Sequence, residues 1–348
     1  MTSPRVALCL EQTLGHRAHG QNVEAAAQAC DTLDVSVHRV EYTPSRLHVP
    51  WALRASHIAR NQVRESGRRY DALLFHTQTV SLFAQAAARG GKYVVSLDAT
   101  PRQVDEMGRW YRHRRGPSVL ESAKARWYRH VFRDAAAFVT WSEWAADSLS
   151  SDYGVSNKPI LVAHPGAARR FFEIPRPRTA GGRPRILFVG GDFERKGGYD
   201  LLAAFAPLAS QAELVLVTPT PLPPAPGVTV LRDVQPGSDA QLRAYAEADL
   251  FCLPTYGDCT SVAIGEALAA GLPVVTTSVG SNSETVPLAA GRIVPPGNVP
   301  ALQEALRELV EDGALRERMS AAAREHARQH MDAAVNARRI LDLLREVA

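Results

Sequence analysis

Two short segments hold the residues best suited, by type and spacing, to grip a phosphorylated ligand. The first runs Ile186-Leu-Phe-Val-Gly-Gly-Asp-Phe-Glu-Arg-Lys-Gly-Gly-Tyr-Asp-Leu-Leu. A hydrophobic strand enters Gly190-Gly191, a polar loop follows, and Arg195-Lys196-Gly197-Gly198 opens a helix. Glycines let main-chain N–H groups approach an anion, and a helix start adds partial positive charge. Arg195 and Lys196 bring full charge to the same place. The plainer reading is an ordinary strand–turn–helix with a solvated basic pair. The Gly-x4-Gly-Lys-Ser/Thr order of a triphosphate-binding loop is missing.

The second segment runs Leu253-Pro-Thr-Tyr-Gly-Asp258-Cys-Thr-Ser-Val-Ala-Ile-Gly-Glu266-Ala-Leu-Ala-Ala-Gly. A strand ends at Pro254, a loop carries Asp258, and a helix from about Ser261 carries Glu266. Asp258, Thr260 and Ser261 sit where a helix begins, so capping is the plain reading of them. Glu266 resists a plain reading. Its helix neighbours Ala263, Ile264, Ala267, Leu268 and Ala270 are apolar, and a carboxylate buried among them needs hydrogen-bond donors. Ribose hydroxyls are suitable donors.

These segments need a scaffold that delivers strand ends and helix starts to one place. Short apolar runs at 6–10, 35–40, 72–75, 93–97, 136–139 and 160–163 alternate with helical, alanine-rich stretches. The alternation predicts a parallel sheet covered by helices. It breaks at the Pro- and Arg-rich residues 173–184, then resumes with runs at 186–189, 214–217, 228–231, 250–253 and 274–276. We therefore expect a domain over 1–172, a linker over 173–184, a second domain over 185–325, and a C-terminal helix within 326–348 that packs back on the first domain. Ligands of such sheets bind beyond the carboxyl ends of the strands.

The paired segments resemble the retaining glycosyltransferases of family 4. Asp258-x7-Glu266 followed by Ala-Leu-Ala-Ala-Gly-Leu-Pro-Val stands in the register of that family's Glu-x7-Glu element. The strand–Gly–loop–Lys-Gly segment stands where the family binds the donor diphosphate. The resemblance covers about residues 185–311. It implies an α/β chain of the GT-B class, two Rossmann-like doubly wound domains facing a cleft, and a nucleoside diphosphate sugar of UDP or GDP type as donor. Carried over residue by residue, Gly190, Gly191, Arg195 and Lys196 meet the diphosphate, and Glu266 meets the ribose. Asp258 stands for the first glutamate, on the transferred sugar, and the main chain of Cys259, Thr260, Ser261 and Val262 lines sugar and phosphates. Two departures stand out. Gly191 occupies a position where the family commonly has arginine, and Asp258 is one methylene shorter than glutamate.

The first half resembles the family more loosely. Gly15-His-Arg-Ala-His-Gly20 matches its glycine-containing loop near donor and acceptor, with His16 and His19 as acceptor contacts or as a turn and polar helix start. His76 ends a strand as the family's strand-end histidine does, and also reads as a local backbone partner. Asp98 ends the next strand, where many relatives place a histidine on the donor sugar. With Asp258, Lys196 and Arg195 it completes the candidate catalytic set. No cluster with metal-ligand spacing occurs, so we expect neither metal nor cofactor. In the family the leaving diphosphate is thought to take the acceptor proton, so no general base is required.

Charge and composition bound the remainder. The chain has 348 residues, is 45% hydrophobic, and carries +4 overall. That charge divides into +8 over residues 1–172 and −4 over the rest, which points to different partners for the two halves. The cysteines at 9, 30, 252 and 259 form neither a zinc pattern nor a disulfide framework. No apolar run reaches spanning length, and the start lacks a secretory core, so we expect the cytoplasm, with peripheral contact at the inner face of the membrane open. Residues 109–133 interleave aromatics with eight basic residues against Glu121. This stretch reads as a solvated face, a contact for anionic membrane, or a patch for an anionic acceptor. Nucleic acid fits poorly, since no nucleic-acid fold accompanies it. A sugar phosphorylase, a sugar-nucleotide epimerase and an idle sugar-nucleotide-binding subunit are the competing readings.

Overall fold

The computed structural model describes residues 3–13, 15–44, 49–111, 115–175 and 182–348. Residues 112–114 of the basic stretch and 176–181 of the expected linker lie outside the described residues. The chain divides into two compact units, 1–165 with 333–348, and 166–332.

Unit 1 alternates strand and helix. It contains β1 (Arg5–Glu11), α1 (His16–Gln28), β2 (Asp34–Val40), α2 (Trp51–Glu65), β3 (Ala72–His76), α3 (Ala84–Ala88) and β4 (Lys92–Leu97). There follow α4 (Pro101–Glu106), α5 (Ser118–Asp134), β5 (Ala137–Thr140), α6 (Glu143–Tyr153) and β6 (Ile160–Val162). Its six strands pair in the order β2-β1-β3-β4-β5-β6, every pair parallel. β3 and β5 are buried along their whole length, as strands with helices on both faces must be. Two apolar cores flank the sheet. One includes Phe75, Val95, Phe132 and Phe138; the other includes Val6, Leu8, Leu74 and Val139.

Unit 2 repeats the plan. It comprises α7 (Arg169–Phe172), β7 (Arg185–Val189), α8 (Gly198–Phe205), β8 (Glu213–Val217), β9 (Val228–Leu231), α9 (Asp239–Ala246), β10 (Leu250–Leu253) and α10 (Val262–Ala269). β11 (Val274–Thr277), α11 (Asn282–Thr285), β12 (Gly291–Val294), α12 (Val299–Glu311) and α13 (Gly313–His330) complete it. The sheet order is β12-β11-β10-β7-β8-β9, again all parallel. The last helix, α14 (Ala333–Val347), belongs to unit 1, where Ala337, Ile340, Leu341 and Leu344 enter the core beside Val6 and Leu8.

The order of each sheet explains where a site can form. In unit 1 the chain steps outward from β1 to β2, then returns past β1 to β3. In unit 2 it steps from β7 out to β9, then returns to β10. At such a reversal the two adjacent strand ends send their loops to opposite faces, which opens a crevice at the carboxyl edge. The β1/β3 and β7/β10 reversals are therefore the two binding positions that the topology creates.

The unit boundary differs from the expected 172/173. It falls at 165/166, because Phe171 and Ile174 bury in the unit 2 core. The return crossing falls at 332/333, not 325/326, because α13 runs on to His330 and its Ala323 and Ala327 pack in unit 2. Helix α2 and strand β12 are additions to the sequence reading. The buried side of α2 consists of Ala55, Ser56, Ala59 and Val63, a stripe too small and polar to signal itself by hydrophobicity.

Because Ile340 is fully buried in unit 1, Ile340→Ala is expected to cost about 2–4 kcal/mol of stability. Denaturant unfolding followed by hydrogen exchange should place the loss in β1, β3 and α1. An equal loss of protection in α10 would show that α14 supports unit 2 instead.

Candidate functional site

The β7/β10 reversal in unit 2 gathers the first group. The loop after β7 reaches the loop after β10 through Gly197, whose φ is +74° and whose missing Cβ would overlap the Pro254 carbonyl oxygen. A side chain here is excluded twice, by conformation and by space. Gly198 packs against the Phe193 ring with no room for a methyl group. Gly191, by contrast, faces open space.

This close approach lets Lys196 Nζ donate to Asp258 Oδ2 in an ion pair with both side chains largely buried. Arg195 is held within the loop. Its Nη1 donates to the Gly257 carbonyl (2.5 Å) and its Nε to Asp192 (3.3 Å). The Arg195 carbonyl accepts from Tyr256 N (2.8 Å) and Thr255 Oγ1 (3.2 Å).

The segment Cys259–Ser261 leads into α10. Gly280, at φ +58°, presses against the carbonyls of Asp258 and Cys259, and Ser281 N donates to Cys259 O (2.9 Å). Ser281 Oγ donates to Thr260 Oγ1 (2.9 Å). The carbonyls of this loop are thus anchored from below. Ser261 occupies the N-cap of α10 yet makes no cap bond, and its buried Oγ has no partner among the described residues. The first-turn N–H groups of α10 therefore keep their capacity for an anion.

Glu266 lies one to two turns further along α10. Its Oε2 accepts from Tyr245 OH (2.9 Å) and Gln241 Nε2 (3.2 Å), both on α9. No hydrogen bond reaches Oε1 among the described residues. Burial pushes the carboxyl up from an ordinary 4.5 to about 7, against the opposing pull of the Tyr245 hydroxyl. The sequence singles out Glu266 but not its partners Tyr245 and Gln241, which sit on another helix with no spacing signal.

The second group lies at the β1/β3 reversal of unit 1. Gly15 is the N-cap of α1, and His16 and His19 follow on its first turns. His76 ends β3 and donates to or accepts from Ser96 Oγ at 2.9 Å. The three imidazoles and Trp141 pack with centroid separations of 4.8–5.5 Å. Burial, reinforced by the neighbouring histidines, lowers His19 to about 3 and holds His76 well below 6.5. Both are neutral at ordinary pH. Asp98, at the end of β4, lies 3.7 Å from His16 Nε2, and burial raises its carboxyl. Behind it Glu11 is buried and accepts from Trp51 Nε1 (2.7 Å), Thr13 Oγ1 (3.0 Å) and Thr77 Oγ1. Trp141, Glu11 and Thr77 were absent from the sequence reading. Strand ends on one sheet edge are the signal that would have found them.

The candidate residues thus form two sets, Gly190 to Glu266 in unit 2 and Gly15 to Asp98 in unit 1. Among the described residues no group of three or more His, Cys, Asp or Glu could hold a metal ion.

Comparison with known proteins agrees with this architecture. The family described as "Glycosyltransferase Family 4" matches residues 9–168, and "Glycosyl transferases group 1" matches residues 183–312. The MMP alpha-(1->4)-mannosyltransferase of Mycolicibacterium hassiacum is 28% identical over 221 residues, 55% of this chain and 53% of that protein. The phosphatidyl-myo-inositol mannosyltransferase of Mycobacterium leprae is 28% identical over 66% of this chain and 63% of its own. The match thus spans between about half and two thirds of these relatives. Sucrose-phosphate synthase from Thermosynechococcus elongatus shares the fold with a TM-score of 0.75 at 16% identity over 99% of both chains. Anabaena HepE in complex with UDP-glucose does so with a TM-score of 0.69 at 17% identity, over 99% of this chain and 100% of that one.

The Glu266 carboxyl gives a test that needs no substrate. Its folded value lies above its ordinary one, so its contribution to stability is full below about 4.5 and is lost as pH rises through about 7. In Glu266→Gln this decline should vanish. The Tm of the variant relative to the original protein should rise from pH 4.5 to pH 8. A difference that stays constant with pH would refute the assignment.

Proposed function

The chain belongs to the group 1, family 4 glycosyltransferases, and from that premise we propose that it moves a sugar from a nucleoside diphosphate sugar to a hydroxyl acceptor with retention of anomeric configuration. One observation carries the reading. The β7/β10 crevice combines the Lys196 cation, the uncapped start of α10 and the open Oε1 of Glu266. These are in turn a partner for a diphosphate, a set of N–H donors for it, and an acceptor for ribose hydroxyls. The donor is of UDP or GDP type.

In this reading Lys196 exchanges Asp258 for the diphosphate, and Asp258 turns to the hydroxyls of the transferred sugar. The bond from the anomeric carbon to the departing phosphate oxygen breaks as the acceptor oxygen bonds to the same carbon. The acceptor proton passes to the departing diphosphate. The protein positions both substrates and stabilises the charge that develops on the leaving group. The proposal assigns that stabilisation to Lys196 and α10, with Arg195 bracing the loop, and needs no cofactor. An idle binding subunit would bind nucleotide without releasing nucleoside diphosphate. A phosphorylase would require phosphate, and an epimerase would return an isomerised sugar nucleotide.

Lys196→Ala and Glu266→Ala should each remain folded and lose at least about 100-fold in turnover of UDP- or GDP-sugars. The activity of the unmodified protein should persist in excess EDTA. Unchanged kcat/KM in either folded variant overturns the donor assignment, and abolition by EDTA with rescue by Mg²⁺ overturns its metal independence.

A second reading concerns α5, where Val119 and Leu120 are 76% and 63% exposed and Trp127 is 40% exposed. Arg126, Arg129, Arg133 and Lys158 line the adjoining groove of about 1300 Å³. Exposed apolar residues rimmed by arginines fit an anionic lipid surface. Each cation near such a surface contributes about 1 kcal/mol, and screening shrinks from about 10 Å at 0.1 M salt to about 3 Å at 1 M. Binding to anionic vesicles, absent with neutral ones, should disappear at 1 M salt and in the Arg115, Arg126, Arg129→Glu triple variant. Equal sedimentation of both proteins would assign the groove to another role.

A further inference from the structure

Glu266 is held from one side. Both donors that reach it, Tyr245 OH at 2.9 Å and Gln241 Nε2 at 3.2 Å, converge on Oε2. The residue is partly exposed, and Oε1 is the atom left over. Tyr245 can act only as a donor here, since burial and the Glu266 charge hold its hydroxyl well above its ordinary value of 10.

Gln241 is less constrained by its own chemistry, because an amide can turn either a donor or an acceptor toward a carboxylate. Its other neighbour removes the choice. Gln241 Oε1 accepts from Gly237 N (2.5 Å), in the loop between β9 and α9. A main-chain N–H can only donate, so the amide nitrogen must face Glu266. Turning the amide over would set N–H against N–H at Gly237 and oxygen against oxygen at Glu266. Gly237 is fixed in turn. Its φ is +74°, and Arg170 of α7 donates to its carbonyl while pairing with Asp239 at 2.6 Å.

The charged groups on the surrounding elements are spent elsewhere. Arg169 of α7 pairs with Glu173, and Arg324 of α13 lies against Gly271, past the far end of α10, where it donates to the Ile174 carbonyl. Asp239, Arg243 and Glu247 of α9 are exposed. Lys196 and Asp258 pair with each other ahead of α10, and burial pushes the Cys252 thiol of β10 up. Two influences remain on the Glu266 carboxyl: burial raises it to about 7, and the Tyr245 hydroxyl pulls it back. Each hydrogen bond donated to a carboxylate favours its charged form. Ribose hydroxyls on Oε1 would act in the same sense as the protein donors on Oε2.

We infer that Gln241 is a positioning residue of the donor site: tied to the Gly237 main chain, it fixes Oε2 of Glu266 to the protein and so reserves Oε1, as an ionised acceptor, for the vicinal hydroxyls of a ribose. This rests on the donor reading above and adds to it a residue that acts through Glu266 alone. Because ribose favours the ionised carboxyl, affinity for a nucleoside diphosphate should be full above about pH 7 and fall as pH drops through it. Removing the Gln241 donor raises the carboxyl further and moves that decline to higher pH.

The test uses Gln241→Leu, with Gln241→Asn, too short to span both partners, as a polar second variant. Calorimetry at pH 7 sets UDP and GDP against their 2′,3′-dideoxy forms. Each variant should weaken the hydroxylated nucleotide at least about tenfold and leave the dideoxy form nearly unchanged. Carboxyl-carbon NMR of Glu266 without ligand should show its midpoint about one pH unit higher in the variants. Equal losses for both forms, or an unmoved midpoint, overturn the proposal and reduce Gln241 to a packing role. If the midpoint moves but the original protein binds the two forms equally or not at all, the ribose role of Glu266 and the donor reading fall, and the hold of Gln241 on Glu266 stands.

Discussion

The candidate donor site depends on one steric constraint, the absence of a side chain at residue 197. Only at a glycine with φ of +74° can the loop after β7 lie against the Pro254 carbonyl at the end of β10. That approach sets Lys196 beside Asp258 and lets the Arg195 carbonyl accept from Thr255 and Tyr256. The Arg195 guanidinium then braces Gly257 from the other side. The two loops become one platform that carries Arg195 and Lys196, and the ion-pair partner of Lys196 among the described residues is Asp258. Both members are largely buried, so losing either partner would leave the other's charge uncompensated.

The same economy governs Glu266. A carboxylate on an apolar helix must be given donors, and Tyr245 and Gln241 supply two of them to a single oxygen. Tyr245 is in turn fixed by its ring, stacked on Phe251 at 6.0 Å and edge-on to Phe171 at 5.3 Å. The orientation of a polar group at the crevice is therefore traceable to aromatic packing in the core of unit 2. The same packing ties α7 to that unit, since Phe171 meets the Tyr245 ring edge-on.

Much of this was legible in the sequence, and the part that was not has a common cause. Lys196, Asp258 and Glu266 could be read because strand, loop and helix are contiguous in each segment and the glycines punctuate them. Tyr245 and Gln241 could not, since their relation to Glu266 crosses between helices. The strands of both sheets stood out as apolar runs, whereas α2 buries only small or polar residues and β12 is a four-residue strand enclosed by turns. The stretch 173–184 announced a break by composition, yet composition does not report that Phe171 and Ile174, beside the proline-rich run, choose the second core. Contacts between distant segments decide such boundaries, and a linear pattern carries little of them.

The charge balance of the first half shows why counting must give way to placement. Residues 1–172 carry +8, which on its face predicts a site for anions. Many of these cations are spread over the surface in ion pairs with nearby acids, and four, Arg126, Arg129, Arg133 and Lys158, line one groove along α5. Arg133 and Lys158 precede β5 and β6, so that end of the groove lies toward the amino-terminal edge of the sheet, and Lys124 on the same helix pairs with Asp105 and Glu121. The carboxyl-terminal edge of the same sheet holds Glu11, Asp98 and neutral histidines. Opposite edges of one parallel sheet lie a full strand length apart. At about 3.3 Å per residue, a strand of five or six residues separates them by roughly 17–20 Å. That exceeds the roughly 8 Å screening length at physiological salt, so the basic groove does little to offset the carboxylates at the other edge. The net charge of the half therefore does not predict the sign of the charge at a particular edge of its sheet.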